Sequence, residues 1–417
     1  MEENYKQYDL DDNPFPEVAT LDPGSRDKRT NGEIFCEQIA RDEIRAISEK
    51  IDQRVNVVYV AGLQFDKGVG KSALVAHEWR QLKERELVTS PFIRCKSKEK
   101  PADFCNRLVK TWCDEEHVWK AFGTIISQYA GEVASPSVSK QTVGLMLRSY
   151  PRPPEALPYT RYLHLMNPER LARDIGDWMH AKESRIDPKY GSFFIEQSLS
   201  RPNEFYESYL KLRIPGSDRI DVYKQTMMCL RLGGYKYHYI FLDQFEDAVM
   251  LVSAGQLADF CLGMRRMIEA NQGLGMMLVT LHPDSETKLG LPGATDLVKI
   301  APIDNYRRVD VMALRTEGDD AISLAVAYMD AYRSSRAKYP THPLRENVIR
   351  YACFLEEGNV RRTLQKLHVC LKMASLKSEP EITMDYVRAN HRDLMGTELQ
   401  EDLLTKFESS TQASSKP

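Results

Sequence analysis

Residues 57–72 constrain this chain more than any other stretch. Val57-Val58-Tyr59-Val60-Ala61 is apolar and mostly β-branched, and it reads as a buried strand. Gly62 opens a loop that closes on Gly68-Val69-Gly70-Lys71-Ser72, and Ala73-Leu74-Val75-Ala76 reads as the start of a helix. Strand, glycine-bearing loop and helix in that order suit capture of a phosphate group. Backbone N–H groups of the loop and the positive end of the helix point at the anion. Gly68 and Gly70 permit a close backbone approach that a Cβ would forbid. Lys71 supplies a mobile cation, expected to face solvent when no ligand is bound, and Ser72 supplies a hydroxyl suited to Mg²⁺. Gly68, Val69, Gly70, Lys71, Ser72 and Ala73 are therefore the candidate nucleotide-binding residues. The usual spacing puts a further glycine five residues before Gly70; Phe65 stands there instead, so the loop opens differently.

A chain of 417 residues is long enough for two or three domains. Its composition, 42% hydrophobic and 28% charged, is that of a globular protein. The net charge of −3 carries no bulk signal for nucleic acid. The eight cysteines form no Cys-x-x-Cys pair, and several stand in apolar runs. They read as buried free thiols of a reducing cytosol rather than as zinc ligands. The acidic, polar start Met1-Glu2-Glu3-Asn4-Tyr5 is not a signal peptide, and no run of about 18 apolar residues predicts a membrane span. The expected setting is cytoplasmic, without a membrane.

Along the chain, residues 1–33 are rich in turn formers and read as an extended arm. Apolar residues at helical spacing predict a helix over 34–51. After the phosphate loop, a helix running to about Leu87 and a short strand over 91–95 are expected. Residues 100–230 read as a large helical insertion, with helices over 102–112, 118–129, 171–180 and 222–232. Its aromatics, among them Trp112, Trp119, Trp178, Phe193, Phe194, Phe205 and Tyr206, suit either a helical core or base stacking. Tyr237-His238-Tyr239-Ile240-Phe241-Leu242-Asp243 is a buried strand ending in a carboxylate. A helix follows Ser253, and strands are predicted over 276–281 and 297–300. Strands alternating with helices imply an α/β fold, a parallel sheet with helices on both faces. Residues 304–395 read as a C-terminal helical lid, with helices over 321–337, 344–356, 360–376 and 383–390. Residues 396–417 are expected to be a disordered tail.

Three phrases carry a resemblance: the phosphate loop, Leu242-Asp243-Gln244-Phe245-Glu246 at a strand end, and Gly358-Asn359-Val360-Arg361-Arg362-Thr363-Leu364 in the helical region. Together they resemble an AAA+ P-loop ATPase of the branch that holds the origin-recognition and STAND signalling ATPases. The similarity covers roughly residues 34–95 and 235–395. It implies a P-loop NTPase core with ATP and Mg²⁺ as ligands. It assigns Lys71 and Ser72 to the phosphates and the metal, Asp243 to the metal, Arg361 to the γ-phosphate and His282 to a first sensor position. Many family members carry a glutamate directly after the metal aspartate. Here Gln244 stands there and cannot accept a proton, so Glu246 or Asp247 is the candidate base. No arginine falls in 284–303, where a finger between subunits would be expected; Arg265, Arg266, Arg307 and Arg308 are the substitutes nearby. The resemblance thus implies a slow, nucleotide-switched ATPase, with DNA or a protein complex engaged through the insertion. A non-hydrolysing ATP-binding scaffold is the alternative, and the oligomeric state stays open.

Overall fold

The computed structural model describes residues 3–18, 21–62, 68–133, 168–200, 218–316, 319–334 and 337–414. Loop residues Phe65, Asp66 and Lys67 and insertion residues Phe205 and Tyr206 lie outside these. The described strands are β1 (Val57–Gly62), β2 (Val88–Thr89), β3 (Phe92–Arg94), β4 (Tyr237–Asp243), β5 (Gly275–Leu281) and β6 (Arg308–Val311). They form one parallel sheet in the order β2-β4-β5-β1-β6, with β3 also paired to β4. Every residue of β1, β4 and β5 is buried, because helices cover both faces and leave no solvated side.

Successive side chains of a strand point to opposite faces, and here they feed two separate cores. Val57, Tyr59 and Ala61 join Ile240, Leu242, Met277 and Val279 on one face. Val58 and Val60 join Tyr239, Phe241, Met276 and Leu278 on the other. The first face is covered by Pro101–Asp114, His117–Val133, Arg219–Leu232 and Ala254–Asn271. The helical insertion is thus one wall of the sheet. Trp112 is fully buried there, stacked on Tyr223 at 5.5 Å, and its Nε1 donates to Thr89 Oγ1 at 3.0 Å. Trp119, Phe122 and Phe194 are buried as well, and no aromatic ring among the insertion's described residues is exposed. Tyr129, Trp178 and Phe193 are half-buried and pack against the same core.

The second face is covered by Glu33–Gln38, Arg41–Asp52, Lys71–Lys83 and the C-terminal helices Asp320–Asp330, Glu346–Leu355 and Val360–Leu376. The expected single helix over 34–51 breaks at Ala40, whose backbone leaves the helical region at ψ 35°. The expected helix to Leu87 ends at Lys83, and the one over 321–337 ends at Asp330.

Four expectations are corrected. Residues 297–300 are not a strand: Thr295–Ile300 is a helix, with Leu297 its buried contact. The last strand is Arg308–Val311, inside the segment assigned to the lid. It is an edge strand with one solvated face, so its outward positions carry Arg308 and Asp310, which pair with each other at 2.5 Å. The residues taken for an extended arm are packed: Tyr5–Tyr8 is a 3-10 turn, and Tyr8, Leu10 and Phe15 are fully buried in the second core. The residues taken for a disordered tail hold the helix Glu401–Ser414, whose Leu404 and Phe407 are buried.

Candidate functional site

In a parallel sheet all strand C-termini lie on one edge, where ligand crevices form. On that edge a cleft of about 230 Å³ is lined by Gly68, Val69, Gly70, Lys71, Ser72 and Ala73, by Gln244 and Glu246 after β4, and by Arg361 from the C-terminal helices. Pro16, Leu21, Arg29, Thr30, Gly32 and Phe35 close another side.

Gly70 caps the Lys71–Lys83 helix at φ 105°, and Gly68 stands at φ 96°. Both conformations favour glycine. A Cβ would drive Gly68 into the Asn359 side chain and Gly70 into the Phe35 ring. The loop therefore lies flat against the start of the Val360–Leu376 helix, and the Arg361 N–H donates to the Gly68 carbonyl at 3.2 Å. Two long helices thus begin at this cleft, and each brings the partial positive charge of its N-terminus.

Lys71 is only 6% exposed, so the expectation that it faces solvent is overturned. It lies against the acidic wall, where its charge acts on Glu246. Ser72 Oγ donates to Asp243 Oδ1 at 2.7 Å, which joins the end of β4 to the first helical turn. Asp243 is 1% exposed. Burial pushes its carboxyl above the usual carboxylate range, against the pull of Ser72 and of Arg94.

Gln244 adopts φ 56°, and its backbone N–H donates to Thr280 Oγ1 at 2.8 Å. That turn carries Glu246 into the cleft, while Asp247 is absent from its lining. Glu246 is 7% exposed, and its Oε2 has no hydrogen-bond partner among the described residues. Burial raises its carboxyl, as does nearby Asp243, while Lys71 opposes the shift. Arg361 is half-buried, its pKa lowered by burial and supported by the charge of Asp243.

His282 does not reach the cleft. Its Nδ1 accepts from the Asp284 N–H at 3.0 Å and caps the helix Pro283–Leu289. The polar group that β5 does offer is Thr280, two residues earlier, and the single hydroxyl in Met276-Met277-Leu278-Val279-Thr280-Leu281 was the signal for it. Arg94 was missed as well: it ends β3, and its Nε lies 4.0 Å from Asp243 Oδ2. Strand pairing alone sets Arg94 beside Asp243. The four candidate finger arginines all have partners within the chain: Arg265 with Glu269 and Asp296, Arg266 with Asp218 and Asp221, Arg307 with Asp304, and Arg308 with Asp310 and Glu286.

Among the described residues no cluster of His, Cys, Asp and Glu could hold a metal alone, and all eight cysteines are buried free thiols. No helix among the described residues is long and apolar enough to cross a membrane. No protein-family model matches the chain, and no curated protein matches it.

Proposed function

We propose that the chain binds ATP with Mg²⁺ in this cleft and hydrolyses it slowly, as a nucleotide-driven switch of the AAA+, P-loop kind. The observation that carries the reading is convergence. Lys71 and Ser72, the Asp243 behind Ser72, and Arg361 from the far end of the chain meet at one cleft whose glycines leave no room for a Cβ. Two cationic side chains and two helix N-termini suit the β- and γ-phosphates. The donor set fits Mg²⁺, which takes few protein carboxylates and completes its shell with water and substrate phosphates. Ser72 and Asp243 would hold it, and when bound it supplies charge against the phosphates.

Glu246 supplies the base. Its unpartnered Oε2 takes a proton from water as the water oxygen bonds to the γ-phosphorus. The bond from that phosphorus to the bridging oxygen breaks, leaving ADP and inorganic phosphate. Arg361 then loses its anionic partner, and the C-terminal helices relax away from Gly68.

Gln244 favours a second reading, a scaffold that holds ATP without turnover. Titration with labelled ATP, followed by phosphate release, separates the two. We expect saturable Mg²⁺-dependent binding and slow phosphate release, both lost in Lys71→Ala while circular dichroism shows that the variant keeps the parent's helix content. Binding without release over long incubation selects the scaffold. Equal binding by Lys71→Ala and the parent overturns the site.

A further inference from the structure

The opposite edge of the sheet, where the strands begin, carries a second cleft that the ATP reading does not use. It is about 300 Å³ in volume and lined by Arg54 and Asn56 before β1, Tyr237 at the start of β4, Gln272 before β5, and Tyr306 and Arg307 before β6. Two arginine–tyrosine pairs stand along it. The Arg54 guanidinium lies 5.3 Å from the centre of the Tyr237 ring, and the Arg307 guanidinium 5.5 Å from that of Tyr306. Lys50 adds a third cation, its Nζ donating to the Tyr306 carbonyl at 2.7 Å and 5.9 Å from the ring centre.

These groups are available in unequal measure. Arg307 is held in place by Asp304 at 3.2 Å and Asn56 at 3.3 Å. The Arg54 guanidinium has no hydrogen bond or ion pair among the described residues, and no carboxylate lines the cleft. Tyr306 is 55% exposed, the only aromatic residue among the exposed large hydrophobic ones of the described residues. Gln272 is exposed beside Gly273, where a Cβ would meet open space.

We propose that this edge binds single-stranded nucleic acid. Two arginines paired with two aromatic rings in one cleft suit a strand of repeated phosphates interleaved with bases, whereas a lone phosphate monoester offers the rings nothing to stack on. Tyr306 offers a platform for a base, and the Gln272 amide reaches for a base edge. The negative net charge of the chain does not oppose this, because the charged residues that line the cleft are both arginines, and of these Arg307 is paired with Asp304 behind it. The proposal is independent of ATP, whose cleft lies at the other ends of the same strands. It also moves nucleic-acid contact away from the helical insertion, whose described rings are core.

Fluorescence anisotropy of a labelled oligothymidylate with the full chain tests it. Binding should be saturable and should weaken linearly in log–log form as salt rises. Arg54→Glu and Tyr306→Ala change exposed side chains and should each weaken it about tenfold or more, with an unchanged melting temperature. Lys71→Ala should bind the oligonucleotide like the parent. Absence of binding by the parent overturns the proposal, as does equal affinity in both edge variants. Displacement of bound oligothymidylate by equimolar phosphotyrosine peptide or free nucleotide would also overturn it, since the site would then read a lone phosphate.

Discussion

Glu246 holds a buried carboxyl oxygen with no partner among the described residues, beside a lysine and a glycine loop. A group left so is costly to keep unless a ligand or water uses it. Glu246→Gln should leave ATP affinity near that of the parent while turnover falls about 10²-fold or more. Asp247→Asn should do much less, because Asp247 does not line the cleft. Because burial raises the Glu246 carboxyl, the rate should decline on the acid side from a pH above the usual carboxylate range, as the protonated form accepts no proton. Parental turnover in Glu246→Gln would reduce Glu246 to a carboxylate that complements a helix N-terminus.

At the scale of elements, the helix that starts at the cleft also carries a buried acid. Glu78 is 4% exposed, and Ser48 of the Arg41–Asp52 helix donates to its Oε1 at 3.1 Å. Burial raises its carboxyl from 4.5 to about 7. Between those values the folded chain binds more protons than the unfolded one, so stability falls as pH rises through the window and the loss is complete above it. Glu78→Gln keeps an acceptor for Ser48 and removes that loss. Chemical denaturation should show it more stable than the parent by about 3 kcal/mol at pH 8 and nearly equal at pH 4. The same gain at both pH values would mean that Glu78 stays ionised in the fold.

For the whole molecule, the N-terminal residues act as a strap between the C-terminal helices and the cleft. Tyr8 OH donates to the Glu379 carbonyl at 2.7 Å, and Asn13 Nδ2 to the His368 carbonyl at 3.1 Å. His368 Nδ1 meets the Phe15 carbonyl at 2.8 Å, and Phe15 packs on Tyr328 with ring centres 6.2 Å apart. Pro16 then forms part of the cleft wall. Phe15→Ala should cost about 3–5 kcal/mol, the range for a fully buried ring. Thermal melting measures it, and ATP affinity should fall with it because the wall loosens. A loss below 1 kcal/mol would mean that the strap contributes little to the packing of the second core.

Local signals in the sequence were enough to determine β1, β4 and β5, the helix start at Lys71 and the helix Val360–Leu376. In each case an unbroken apolar run, a glycine turn or a cap at Asn359 depends on neighbours a few residues away. The parallel α/β class followed from their alternation. Tertiary structure alone decided the rest. β6 was passed over, because its alternation of charged and apolar residues runs for only four positions, at the short limit of a strand signal. The strap was taken for an extended arm, because turn formers describe local backbone and not the surface that Phe15 meets. Lys71 was expected to face solvent, but the folded cleft buries it beside Glu246. Thr280 was passed over for His282, because a strand end shows which residue is polar but not which one the neighbouring strand faces. Contacts between residues hundreds of positions apart leave no periodic trace along the chain, and only the packed sheet brings Ser72 to Asp243 and Gly68 to Arg361.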